Sequence, residues 1–540
     1  MKVLGVNAVF HDPAAALVVD GVVVAAAEEE RFSRRKHGKR PVPFSTWELP
    51  EQAAAWCLAE GQITPRELDA VAYSYDPSLA ARSGDLISNG WEELRNLYAR
   101  RAPSFLAAAL PGLELDRVAF VAHHVAHAAS TCMMAPFPSS AVMVLDGRGE
   151  STSYLGGHWH DGKLDVLVTQ PLPHSLGLMY EGVTEHLGFL RSSDEYKVMA
   201  LAAYGRARWL ELMRDVTWTD GKGGFNVMPI DWAELTEPRK DGGWSTAHAD
   251  LAASVQLRLE EIVLELATWL QCRTGERVLT MAGGVALNCV ANARLAAERV
   301  FEDIWIQPAA GDAGTALGAA LHVAMKLGDR IQPMRTAALG RHWDDAALED
   351  CLRLARVPYE RPDDIARATA KVLAADGIVG WFQGSSEFGP RALGHRSLLA
   401  NPRRAENLMR LNDIKGREQF RPVAPMVAAH RSVEIFEGKL PSPFMLFTQK
   451  VRANWRDRIP AVVHVDGSAR VQTIDPASEP LVSRLLQHVE DLTGAPVVVN
   501  TSLNTAGRPM VDDPRDALEV FGSTPLDALA IGPFLVRRAA

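Results

Sequence analysis

Residues 141–162 read AVMVLDGRGESTSYLGGHWHDG, and residues 3–21 read VLGVNAVFHDPAAALVVDG. Each begins with an apolar run of strand character, breaks at small or charged residues, resumes as a second strand-like run and ends in Asp-Gly. Asp-Gly between two such runs specifies a tight hairpin, because both central residues of a type I′ turn need positive φ. A third run follows each turn, VVVAAA after Gly21 and KLDVLVT after Gly162. A shift of 141 positions (161 − 20) lays Asp20-Gly21 on Asp161-Gly162 and Val3-Leu4 on Val144-Leu145. The spacing predicts a duplicated unit of three strands.

Each copy leads into regions rich in Ala, Leu and Glu, such as EQAAAWCLAE and LAASVQLRLEEIVLELATWL, whose apolar spacing predicts helices. Duplicated antiparallel strands feeding helices resemble the α/β architecture shared by actin, sugar kinases and Hsp70 chaperones, in which a nucleotide sits between the two halves. Fold of this kind does not by itself establish function.

At 540 residues, 47% hydrophobic and 23% charged, the chain exceeds one typical core and predicts two or more domains. MKLGDRIQPMRTAALGRHWDD, mixing Gly, Pro and charge, reads as a linker and sets a boundary near 345. Beyond it DDIARATAKVLAADG predicts a helix, and IVGWF, PVVVN and LDALAIGPFLV predict strands of a smaller α/β module over 346–540. The segments 84–115 and PRKDGGWSTAHAD carry weak patterns and are candidates for acceptor-facing or simply variable surface. A net charge of −9 argues against a general nucleic-acid binder. Five cysteines without C-x-x-C spacing give neither a disulfide framework nor a zinc ribbon. The N-terminus opens directly as a strand, and no run approaches about twenty apolar residues, so a cytoplasmic protein without membrane partners is expected.

Chemistry-bearing residues gather in a few stretches. In VAHHVAHAAS a helix would stack His123 over His127, four residues apart. The spacing is that of zinc-protease H-E-x-x-H, but His124 stands in the place of the general-base Glu, which argues against peptide hydrolysis. Two Gly-flanked aspartates, Asp146 in LDGRGE and Asp312 in AAGDAGTALGAA, can complete a divalent metal site, and their glycines let backbone approach phosphate. MAGGVALNCVAN predicts a strand, the turn Gly283-Gly284 and a helix, which suits either an anion or a tight connection. GSSEFGPRALGHRSL, 384–398, has the glycine spacing of a phosphate loop, yet Pro390 and Arg391 stand where that motif demands Lys and Ser or Thr.

Taken together, the blocks HDPAAA, EEERFSRRKHG, HHVAHAAS, DGRGE, DEYKVMALAAYG, GGVALN, GDAGTALGAA, EFGPRALGHRS, NDIKGREQFRPVAP and NTSLN resemble the O-carbamoyltransferases of the NodU, CmcH and TobZ type. That resemblance implies an actin-like, Kae1-like domain over 1–345 and a YrdC-like domain over 346–540. It implies an ATP-dependent enzyme of natural-product tailoring that converts carbamoyl phosphate to carbamoyl adenylate and passes the carbamoyl group to an acceptor hydroxyl. A divalent metal, Fe2+ or another, is implied on His123, His127 and Asp312 with Asp146 beside it as a phosphate or metal contact, and Mg2+ with ATP. The matching nucleotide-side residues are Lys36, Asp146, Gly147, Gly283, Gly284, Asn288, Gly311 and Asp312. On the acceptor side they are His11, Asp12, His37, Asp194 and Lys197, with His11 either a base or an orienting group. The matching carbamoyl phosphate and adenylate contacts are Arg391, His395, Lys415, Arg421, Arg470, Asn500 and Ser502, with His11, Asp12, Arg391 and Lys415 closest to the chemistry. Arg396 is expected to extend that pocket.

Arg forks suit phosphate oxygens, so a basic cluster in an acidic chain fits this scheme. The partners expected are a small-molecule hydroxyl acceptor and no nucleic acid, with the chain a monomer or homodimer. Two rival readings share the scaffold: a tRNA threonylcarbamoyl enzyme, which needs a basic tRNA surface, and a nucleotide-gated actin-like regulator, for which the Arg-rich second module is superfluous.

Overall fold

The computed structural model describes residues 1–8, 11–38, 49–80, 90–240 and 243–538. These fall into two compact units, Met1–Met334 and Arg335–Ala540, divided earlier than position 345.

In the first unit β1 (Lys2–Asn7), β2 (Ala14–Val19), β3 (Val22–Glu28), β4 (Ala70–Tyr73) and β5 (Val118–Phe120) form a sheet in the order β3-β2-β1-β4-β5. A second sheet uses β6 (Ser140–Leu145), β7 (Thr152–His160) and β8 (Lys163–Pro171). After the short hairpin β9 (Thr217–Thr219) and β10 (Phe225–Val227), it adds β11 (Val278–Ala282) and β12 (Asp303–Ile306), giving the order β12-β11-β6-β7-β8. Both sheets join an antiparallel meander to two parallel strands, so the duplication predicted from Asp-Gly is a property of the fold. Asp20-Gly21 and Asp161-Gly162 take the positive φ that the turn requires.

Register corrects one alignment. The hairpin pair Val19↔Val22 maps on His160↔Lys163 by the shift of 141. Val3, however, pairs with Val18 while Trp159, the equivalent of Val18, pairs with Ser140. The first strand is therefore equivalent by 137 positions (140 − 3), and Val3-Leu4 fall on Ser140-Ala141 rather than on Val144-Leu145. Valine repeats in both strands made the sequence match ambiguous; backbone pairing removes the ambiguity.

Two helices lock the halves of this unit together. Helix Ala313–Lys326 is buried over most of its length because it is apolar all round. It lies against β1 at Gly5, where a Cβ would stand 1.8 Å from the Ala316 carbonyl, and against helix His123–Cys132 at Gly318, where a Cβ would stand 1.8 Å from the Ala126 carbonyl. The weakly patterned segment yields helix Gly90–Ala109 despite Pro103, since Ala99, Ala102 and Leu106 pack on Val71 and Tyr73. Ser245 caps helix Thr246–Thr274 by accepting from the His248 amide.

The second unit is built on β13 (Val379–Phe382), β14 (Arg396–Ala400), β15 (Ala424–Ala428), a small sheet of β16 (Phe436–Glu437), β17 (Gln449–Val451) and β18 (Ser468–Ala469), then β19 (Gln472–Ile474), β20 (Val497–Ser502), β21 (Ala528–Ile531) and β22 (Phe534–Arg537). Its main sheet runs β19-β15-β20-β14-β13-β21-β22, with apolar cores on both faces. IVGWF supplies the buried strand β13 that its composition predicts. Among the described residues no helix is long and apolar enough to cross a membrane.

Candidate metal centre and polar sites

His123 and His127 lie on the first turns of helix His123–Cys132, whose start is fixed by Glu150: its carboxylate accepts from the His123 amide and from the Asp76 amide, each at 2.8 Å. The Gly318 contact brings the other helix close enough to deliver Asp312 from its N-terminus. His123 Nε2 then stands 3.5 Å from Asp146 and 3.6 Å from Asp312, and His127 Nε2 3.6 Å from Asp312 and 3.9 Å from Asp146. The ligand atoms of these four residues lie within 4.8 Å of one another.

Both Nε2 atoms are buried and have no hydrogen-bond partner. The His123 Nδ1–H donates to the Ser74 carbonyl at 3.2 Å, which turns its Nε2 lone pair towards the carboxylates. Buried nitrogen lone pairs without donors, facing the buried Asp146 and half-buried Asp312 carboxylates, fit a divalent cation. Without one the same charges must be balanced by protons. Burial would push the His123 imidazolium down, but Asp146 and Asp312 override it and hold it well above its ordinary range. Burial would likewise raise the two carboxyls; the facing imidazoles instead keep Asp146 and Asp312 below the usual carboxylate range. His124 behaves differently: burial and its imidazole neighbours push it down to about 3, and its Nδ1 is bonded to the Thr152 hydroxyl at 2.7 Å.

The neighbouring glycine loops are shaped by backbone contact. Gly283 takes φ 92, and a Cβ there would stand 2.2 Å from the Leu145 carbonyl. The Gly284 amide is spent on Asp146 Oδ1 at 3.0 Å. Gly147 is held by Ser175, which donates to its carbonyl at 2.7 Å. Asn288 caps helix Cys289–Ala297 and pairs with Gln256.

Asp12 lies beside this centre: a Cβ on Gly311 would be 3.9 Å from its Oδ2. Its carboxylate takes His37 Nδ1 at 2.7 Å on one oxygen and His11 Nδ1 at 3.0 Å on the other, and the two rings stack at 4.5 Å. Burial would raise Asp12, but these imidazoles hold it well below its ordinary range. His37 Nε2 accepts from the Ser193 hydroxyl at 2.9 Å. Asn7 fastens the turn by donating to the His11 and Asp12 carbonyls, and its own oxygen accepts from Ser74, which in turn accepts from Thr315. Asp194 and Lys197 pair with each other at 2.9 Å. Lys36 shares the turn Lys36–Gly38 with His37; Lys39 and Arg40 of that basic stretch lie outside the described residues. Asn7, Ser74, Glu150, Ser193 and Thr315 escaped the sequence reading. Only Asn7, a polar residue inside an apolar strand, left a signal there.

In the second unit GSSEFGPRALGHRSL corrects its first reading. The buried Glu387 carboxylate accepts from the amides of Leu393, His395 and Arg396 at 2.6, 2.9 and 3.3 Å. The loop thus wraps its own anion, and those amides are not a phosphate cradle. Arg396 is a second correction: fully buried, it donates to the Gln383 and Arg341 carbonyls and lies 3.8 Å over the Phe382 ring, a structural clasp rather than a pocket wall. His395 bonds Glu479 at 3.1 Å; burial lowers its affinity for a proton, and the Glu479 bond more than restores it.

Of the remaining residues, Asn500 and Ser502 lie on β20 and Lys415 bonds to its end. Asn500 donates to the Ala392 carbonyl, next to Arg391, at 3.1 Å and to Gln472 at 2.7 Å. Ser502, two residues on, faces Ser397 across the strand pair. Lys415 donates to the Ser502 and Asn504 carbonyls and side chains at 2.5–3.2 Å. Arg421 pairs with Glu418 at 3.4 Å. Arg470 Nε, Asn500 Oδ1 and Ser397 Oγ are buried without partners. Gln472, Asn504 and Ser397 adjoin Asn500 and Ser502, the two uncharged polar residues among the contacts expected from sequence.

A family model described as Carbamoyltransferase N-terminus matches residues 2–321, and one described as Carbamoyltransferase C-terminus matches 370–538. The chain is 37% identical to Nodulation protein NolNO of Sinorhizobium fredii, over 98% of this chain and 80% of that protein. It is 39% identical to Nodulation protein NolO of Bradyrhizobium diazoefficiens, over 77% and 78%. An uncharacterized protein of Synechocystis is 36% identical over 100% of this chain and 97% of its own. Among solved structures, HypF of T. kodakarensis matches at TM-score 0.37 and 14% identity, covering 61% of this chain and 48% of that one.

Proposed function

Because the chain belongs to the carbamoyltransferase family, we propose that it consumes ATP and carbamoyl phosphate, forms carbamoyl adenylate, and carbamoylates a hydroxyl of a natural product or glycan. In this reading the second unit is YrdC-like and makes the adenylate, and the first is Kae1-like and performs the transfer. The observation that carries it is the buried cluster of His123, His127, Asp146 and Asp312 with both Nε2 atoms unpartnered, set beside the Asp12 turn.

His123, His127, Asp312 and Asp146 would hold the divalent cation, Fe2+ by resemblance, which supplies positive charge against phosphate oxygens. In the second unit the buried Arg470 Nε–H has no acceptor, and a phosphate oxygen would satisfy it. Arg391 and Arg421 add positive charge in the same unit, while Lys415, fixed by Ser502 and Asn504, holds the end of β20 in place. Water first cleaves carbamoyl phosphate, releasing phosphate and leaving carbamate; a carbamate oxygen then attacks the α-phosphorus of ATP and pyrophosphate leaves. The acceptor oxygen then attacks the carbamoyl carbon, AMP leaves, and the imidazoles on Asp12 take the acceptor proton.

Two relatives are named nodulation proteins, so glycan hydroxyls are the first acceptors to try. Candidate glycans, aminoglycosides and macrolides incubated with ATP and carbamoyl phosphate should gain a carbamoyl mass with release of AMP. AMP formation from bicarbonate and threonine, with none from carbamoyl phosphate, would overturn the reading in favour of the tRNA-type enzyme.

A further inference from the structure

Two groups of metal-capable side chains stand close together in the first unit, and their hydrogen bonding separates them. At His123 and His127 both Nε2 atoms are buried and unpartnered. At His11, Asp12 and His37 the imidazoles are engaged: His37 Nδ1–H donates to Asp12 at 2.7 Å, and His37 Nε2 accepts from the Ser193 hydroxyl at 2.9 Å. The second group therefore has the connectivity of a hydroxyl–imidazole–carboxylate relay rather than a ligand set.

The backbone is bent to make it. Asp12, His37 and Ser192, none of them glycine, take φ of 43, 58 and 58. Such residues cost conformational energy and persist where the surroundings enforce them. The enforcing contacts are Asn7 on the Asp12 turn, Glu30 accepting from the His37 amide, and Glu195 accepting from the Ser192 amide. Ser193 remains half-buried, open enough to meet a substrate.

We propose that Ser193, His37 and Asp12 form a proton relay in which Ser193 touches the acceptor hydroxyl. This inference rests on the carbamoyl-transfer reading for its substrate. As the acceptor oxygen bonds to the carbamoyl carbon and the carbon–oxygen bond to AMP breaks, the acceptor proton passes to Ser193 Oγ. The proton of Ser193 passes to His37 Nε2, and Asp12 stabilises the resulting imidazolium. Ser193 is the contacting group; His37 and Asp12 act through it. The serine serves as a relay and not as a carrier, because a serine carbamate is resonance-stabilised and a poor donor to another hydroxyl.

An activated serine reacts with diisopropyl fluorophosphate: an Oγ–P bond forms, P–F breaks, fluoride leaves, and His37 takes the proton. Peptide mass spectrometry should find this adduct on Ser193, with a rate roughly a hundredfold lower in His37→Gln and Asp12→Asn that melt at the wild-type temperature. No adduct on wild-type Ser193, or equal labelling in His37→Gln, overturns the relay. A carbamoyl mass on Ser193 after incubation with ATP and carbamoyl phosphate overturns it too, by making the serine a covalent carrier. Labelling of Ser193 without carbamoyl-phosphate-dependent AMP formation would uphold the relay and remove the transfer reading; AMP formation without labelling does the reverse.

Discussion

Replacing Glu387 tests whether the glycine-rich loop of the second unit wraps its own anion. Its carboxylate is buried and accepts three backbone N–H groups, from Leu393, His395 and Arg396. A hydrogen bond to a charged group contributes about 1.5–3 kcal/mol and a neutral one about 1. Glu387→Gln keeps one acceptor oxygen and loses the charge, so about 2 kcal/mol of local stability should go. Glu387→Ala leaves three donors to whatever water enters, and about 4 kcal/mol should go. The assay is hydrogen exchange of the peptide 384–398 in the full chain. Because about 1.4 kcal/mol is a factor of ten, amide protection should fall roughly thirtyfold in the Gln variant and a thousandfold in the Ala variant. Protection within threefold of wild type in Glu387→Ala would refute the account. So would protection fully restored by phosphate, since the amides would then be a phosphate cradle.

Other consequences follow from the same geometry. His123→Ala or Asp312→Ala should lose bound divalent metal by elemental analysis, whereas His124→Gln should keep it, because His123 and His127 each face both Asp146 and Asp312 while His124 pairs with Asp146 alone, at 4.0 Å, and its ring is tied to Thr152. Gly318→Ala should destabilise the chain by about 3 kcal/mol in a denaturation titration and reduce metal content, since its Cβ would stand 1.8 Å from the Ala126 carbonyl. Arg391→Ala should abolish turnover of carbamoyl phosphate with metal content unchanged; loss of both would indicate misfolding. Burial, with Glu181 adding to it, raises Glu195 from 4.5 to about 7. The folded state then holds a proton that the unfolded chain releases, so stability is lost as pH rises from about 4.5 through 7, by up to about 3 kcal/mol. Glu195→Gln should be more stable than wild type at pH 8 and equal to it near pH 4; equal melting at both would count against that burial.

The duplicated meander, the His pair and the two Gly-flanked aspartates were legible because each rests on local pattern. Asp-Gly with flanking apolar runs fixes a turn, and four-residue spacing stacks His123 on His127 whatever surrounds them. The family resemblance likewise was carried by contiguous blocks. Register between β1 and β6 was not legible, because runs of valine and alanine match themselves at several offsets. Ser193 was invisible for another reason: it serves His37 from 156 positions away.

The chain by itself determined its elements, its duplication and the identities of the metal-capable residues, since those follow from side-chain periodicity and turn chemistry over a few residues. Only tertiary structure decided which groups were already satisfied. Glu387 occupies the amides of the loop that looked like a phosphate cradle, Arg396 is spent on carbonyls, and His37 is bonded on both nitrogens, while His123 and His127 keep unpartnered Nε2 atoms. A donor's availability depends on partners brought together by folding across long stretches of chain, and no local pattern encodes that.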